Sequence, residues 1–241
     1  MSGQTQNAGR LIKRQKLSTR VTHWIWAICL FFLLLSGLQI FNAHSALYLG
    51  DQVGFTYENA IFEIEGFPSW MTIPSTQDLA TGRVVHLFFA WIFAATLIVW
   101  FVASLWNRHI RKDLLPTTKD AKNFVPDIRD HLRLKLVHTV RYSPLQKLAY
   151  GGVLFVLFPL IIVTGLSMSP GMNAALPWLP ELFGGRQSAR TVHFIVMALL
   201  VAFFVVHMAM IVLAGPVNEL RSIITGRYRL SPSVKKEAPH V

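Results

Sequence analysis

Cysteine occurs once, at position 29, inside an apolar run. No disulfide framework can therefore be built from this chain. Acidic residues are also scarce, 12 against 23 Lys and Arg, and charged residues together make up only 15% of the sequence. A soluble domain carries about a quarter. In four stretches, residues 21–41, 84–106, 148–169 and 191–215, Asp, Glu, Lys and Arg are missing altogether. About 20 apolar residues cross a bilayer, and backbone in hydrocarbon must satisfy its own hydrogen bonds, so each stretch is expected to be a helix. The fold class expected is all-α, an integral membrane four-helix bundle.

The net charge of +11 raises the question of nucleic acid, and its distribution answers it. Five Lys and Arg fall in residues 1–20, ten in the loop 107–147 and five after residue 215, while Arg83, Arg186 and Arg190 are the remaining three. That asymmetry follows the positive-inside rule, with both termini and the middle loop cytoplasmic. The basic residues report topology and contact with anionic lipid, and no nucleic-acid role is expected. The first apolar run exceeds the usual ~7–15 residue core of a signal peptide, so it is expected to stay as a span. The division expected is a basic arm over 1–20, a membrane domain over 21–215 and a cytoplasmic tail over 216–241, with residues 221–241 mobile. Pro159 is expected to kink the third helix. An interfacial helix is expected within 126–141, where Ile128, Leu132, Leu136 and Val137 recur at helical spacing.

Four histidines stand in or at the ends of the spans. His193 and His207 lie fourteen residues apart in the fourth. On a helix that is a rise of ~21 Å, with a return to within ~40° of the starting direction. The two share a face and cannot ligate one metal together. Topology supplies a partner for each at matching depth: His23 opens the first span on the inside, level with His207, and His86 opens the second on the outside, level with His193. Arg20, Arg83 and Arg190 precede His23, His86 and His193 by three residues, a spacing that shares a helix face. An Arg at the membrane edge there can bind a haem propionate. Gly37 stands fourteen residues after His23, and Gly151 and Gly165 are fourteen apart; each would let a macrocycle approach the backbone, although small-residue helix packing uses glycine in the same way. Zinc or copper would want closer clusters of His, Cys or carboxylate. Two non-covalent b-type haems with bis-histidine ligation are expected, and the absence of Cys-x-x-Cys-His excludes covalent c-type attachment. His44, His109, His131, His138 and His240 are expected to be solvated. Relay groups in a transporter or proton channel are the alternative reading of the intramembrane histidines.

This pattern, with one His in the first span, one in the second and two fourteen apart in the fourth, resembles the bacterial di-haem b-type cytochromes. That family includes the cytochrome b subunits of nickel–iron hydrogenases and formate dehydrogenases and bacterial cytochrome b561. The stretch "SPLQKLAY…FPLIIVTGLSMSPGMNAALPWLPELFGGRQSARTVHF" is similar to the branch named thiosulfate reductase cytochrome b subunit. The resemblance implies a bacterial inner-membrane protein in which His23, His86, His193 and His207 ligate two b haems. It also implies quinone or quinol as the lipid-side reactant and a periplasmic molybdopterin-type catalytic subunit as partner. Bis-histidine ligation leaves no open iron position, which favours electron transfer over oxygen chemistry. The chain is then an electron-transfer subunit of an oxidoreductase, with no catalytic residue of its own expected.

Overall fold

The computed structural model describes residues 9, 11–52, 57–106, 117–132 and 143–229. Helices dominate: α1 (Leu17–Asn42), α2 (Leu79–Trp106), α3 (Thr118–Leu132), α4 (Pro144–Gly152), α5 (Phe158–Met168), α6 (Pro170–Ala175), α7 (Trp178–Glu181), α8 (Arg186–Ala214) and α9 (Pro216–Thr225). Four short strands, β1 (Leu11–Lys13), β2 (Ala46–Leu47), β3 (Phe62–Glu63) and β4 (Arg227–Arg229), pair antiparallel as β1 with β4 and β2 with β3. Four helices are long and apolar enough to cross a bilayer: α1, α2, the composite Pro144–Met168 and α8. Much of their apolar surface is exposed, with Trp91 at 63% and Phe204 at 59%. Apolar surface on that scale needs lipid or protein to cover it.

The composite helix is where local chemistry shows most plainly. Pro159 lacks a backbone N–H and its ring crowds the carbonyl four residues back. The helix answers by widening into a π turn over Val153–Leu157, in which the Phe158 N–H bonds to the Val153 carbonyl. The kink expected at Pro159 is thus a π turn just ahead of it, after which the helix resumes.

The chain forms two compact units. One comprises Trp24–Val102 and Gly152–Phe203. Its core is aromatic: Trp26 stands edge-on to Trp100 and to Phe158, Phe93 packs edge-on against Phe158 at 4.9 Å, and the Trp26 indole donates to Thr96 Oγ1. The loop between α1 and α2 docks on the start of α8. The Gly50 carbonyl accepts the N–H groups of Gln187 and Ser188, Asp51 Oδ1 accepts that of Arg186, and Thr191 Oγ1 donates to the Tyr48 carbonyl. These contacts satisfy first-turn N–H groups that no helix can satisfy internally. Gly185, at φ +114°, makes the approach possible, since a Cβ there would lie 2.5 Å from Gly50 backbone atoms. This docking fixes the register of α8, and with it the place of His193.

The other unit comprises Met1–His23, Ala103–Gly151 and Phe204–Val241. Strand β1 pairs with β4, and Arg14 joins Glu219 at 3.1 Å while lying over the Tyr228 ring. The 1–20 arm contains a strand and the first residues of α1. One expectation is corrected: the segment 221–229 continues α9 and then forms β4. Three-residue strands carry no periodicity from which a pairing across the whole chain could be read. The expected interfacial helix begins earlier, at Thr118, and its described part ends at Leu132; residues 133–141 lie outside the described residues. Asp120 pairs with Lys147 at 2.9 Å, and Asp127 accepts the N–H of Leu145 in the first turn of α4.

Candidate haem-ligand pairs

The two histidine pairs expected from topology are both present. His86 on α2 faces His193 on α8 with ring centres 6.4 Å apart and planes at 59°. His23 on α1 faces His207 on α8, also at 6.4 Å, with planes at 51°. A metal–imidazole bond is about 2 Å and a ring nitrogen lies about 1 Å from its ring centre, so two imidazoles on opposite sides of one metal ion have centres about 6 Å apart. Both pairs have that spacing. Among the described residues, no three or more of His, Cys, Asp and Glu gather into one group. Two imidazoles supply two donors, and a porphyrin supplies the four that an iron ion still needs.

The glycines take sides. A Cβ on Gly37 would sit 3.3 Å from His86 Cε1, and one on Gly165 would sit 3.4 Å from His193 Cε1. Both positions therefore serve the pair of His86 and His193. Gly151 is half-buried in α4, next to Tyr150, whose ring centre lies 6.4 Å from that of His207.

The arginines are partly committed elsewhere. Arg190 donates to the His44 carbonyl and lies over the Phe41 ring, Arg20 donates to the Ile224 carbonyl at the end of α9, and Arg83 is exposed. A guanidinium has five N–H donors, so one carbonyl contact leaves most of them for an anion. Arg186 donates to the Met168 carbonyl and helps hold the outer loops.

Two residues that sequence reading missed complete the pair of His86 and His193. Ser36 and Thr164 are fully buried, with Ser36 Oγ 3.1 Å from His86 Nδ1 and Thr164 Oγ1 2.9 Å from His193 Nδ1. A buried imidazole N–H left without an acceptor would cost about 1–3 kcal/mol. Their signal was available: "SGL" at 36–38 and "TGL" at 164–166 each precede a helix carrying Arg-x-x-His. His44 is a correction to the solvated expectation. It is half-buried, bonded to the Tyr48 hydroxyl at 2.9 Å and stacked on Tyr57, and burial together with the Arg190 charge pushes its pKa down. His109, His138 and His240 lie outside the described residues, as does the side chain of His131.

The same arrangement places the chain among known proteins. The profile of prokaryotic cytochrome b561 matches residues 14–226, a range that contains all four histidines. A chain of Azospira oryzae, provisionally assigned as protein-methionine-sulfoxide reductase subunit YedZ1, is 29% identical over 198 residues, which is 80% of this chain and 87% of that one. With four helices among the described residues able to cross a bilayer and a profile that runs from just after β1 to just past the end of α9, the chain belongs to the prokaryotic cytochrome b561 family, membrane proteins that carry electrons with b-type haem.

Proposed function

We propose that the chain holds two b-type haems, one between His86 and His193 and one between His23 and His207, and passes electrons between a quinone or quinol and a redox partner. The observation that carries this reading is the pair of imidazole separations, each 6.4 Å, at two places on one helix. Haem, when bound, would supply one-electron chemistry, held by the two imidazoles of each pair. The chain's own residues do the rest. Each histidine offers a ring nitrogen, Gly37 and Gly165 keep the space beside the outer rings clear, and Arg83 and Arg190 on the outer side, with Arg20 on the inner, bring positive charge for the propionates. Gly151, next in the chain to Tyr150, is assigned the corresponding role for His23 and His207.

The charge distribution supports an inner-membrane protein with both termini, the 1–20 arm and the 216–241 tail on the cytoplasmic side. His86 and His193 then belong to the periplasmic side, beside the loops 42–82 and 170–190. A catalytic subunit of molybdopterin type is the partner proposed there. The relative's assignment as a reductase subunit supports a partner reductase, and it offers methionine sulfoxide beside thiosulfate as the kind of compound that partner acts on. Quinone is placed nearer His23 and His207.

Reduced-minus-oxidised spectra of the purified protein should show b-type bands, and the pyridine haemochrome should give about two haems per chain. His193→Ala should retain about half. A colourless protein, made with haem supplied, sinks the reading and leaves the transporter or proton channel; an unchanged haem count in His193→Ala shows that the outer ligands are misassigned.

A further inference from the structure

We propose that Ser36 and Thr164 are positioning residues that hold His86 and His193 in a single tautomer and set the reduction potential of the haem between them. This rests on the di-haem reading of the outer pair. Ser36 Oγ donates to the Phe32 carbonyl at 2.6 Å and Thr164 Oγ1 donates to the Leu160 carbonyl at 2.7 Å, each one turn back in its own helix. A hydroxyl has one hydrogen, so each oxygen faces its imidazole only as an acceptor. An acceptor 3.1 or 2.9 Å from Nδ1 requires a hydrogen on Nδ1. A neutral imidazole has one N–H, so Nε2 of each ring keeps its lone pair for a metal.

The arrangement occurs twice. On α1, Ser36 and Gly37 stand against His86 of α2; on α5, Thr164 and Gly165 stand against His193 of α8. In each case the hydroxyl orients the ring and the glycine beside it gives the ring room. Both histidines of this pair are thus held by the same two-residue device.

Accepting a hydrogen bond from the far nitrogen makes a ligating imidazole a stronger electron donor, which favours oxidised iron and lowers the potential. Removing the acceptor should raise it. The test is redox titration of the holoprotein as wild type, Ser36→Ala, Thr164→Val, the double variant and Thr164→Ser. One of the two b-type components should move upward in each of the first two variants and further in the double, with the other component still, and Thr164→Ser should return to the wild-type value. Loss of the outer haem from Thr164→Val with retention in Thr164→Ser supports the same role. Unmoved potentials with full haem, or haem loss in Thr164→Ser as well, overturn it and leave the hydroxyls as packing. Wild-type protein without b-type bands defeats the di-haem reading instead. In that case nitrogen NMR of the histidine rings still reads the tautomer: Nδ1–H is expected at His86 and His193, and Nε2–H overturns the assignment.

Discussion

Gly165 shows how little room a single residue has here. A Cβ at this position meets His193 Cε1 at 3.4 Å, and branching beyond it would enter the space of the ring. Gly165→Val should therefore displace His193 and cut the haem count per chain to about half, whereas Gly152→Ala, where nothing lies within 4 Å of the added carbon, should leave it unchanged. Pyridine haemochrome on both variants decides this, and full haem in Gly165→Val would mean that the ring is not crowded. At this scale the sequence was legible where the chemistry is costly. An imidazole inside an apolar helix is rare enough to be noticed, and four of them could be paired by depth alone. Ser36 and Thr164 were passed over, because a hydroxyl in a helix interior ordinarily bonds to its own backbone, and the glycine beside each was the only mark of a second partner.

Among the elements, α3 and α4 depend on one carboxylate outside the spans. Burial pushes the Asp120 pKa up, but the hydrogen bond from Lys147, those from Thr117 and the Lys147 charge outweigh it and bring the group down to about 2. The unfolded value is about 3.9. A group depressed on folding adds stability that is fully present above the unfolded value and is lost as pH falls through the folded one. The contact between α3 and α4 should hold at neutral pH and weaken between about pH 4 and pH 2. Amide exchange over 118–132 should rise across that window in wild type, and in Asp120→Asn it should already be faster at pH 7. Equal exchange in the two proteins at pH 7 would remove the pair from any structural role. The helices themselves were readable from apolar length, to within a few residues of their ends. The π turn was readable only as a disturbance at Pro159, since a proline says that a helix must adjust but not how. The β1–β4 pairing was not readable at all.

For the whole molecule, the sidedness of the proposal can be tested with a quinone-analogue inhibitor. It should perturb the spectrum of the haem at His23 and His207 in wild type and lose that effect in His207→Ala. Perturbation confined to the haem at His86 and His193, and equally strong in His207→Ala, would reverse the assignment of the two faces. One feature of the fold also bears on time. Both histidine pairs, and the ion pair that follows β1, join an early part of the chain to a late one: His86 waits for His193, His23 waits for His207, and Arg14 is separated from Glu219 by 205 residues. At the usual ~5–20 residues per second of synthesis, roughly 10–40 s pass between making the first and second members of that last pair. Both histidine pairs draw on α8, so neither exists on the ribosome until the last long helix has emerged. A chain interrupted before α8 can insert three helices and yet present no ligand pair to a cofactor, and the closing of β1 on β4 comes later still, after α9 has been made.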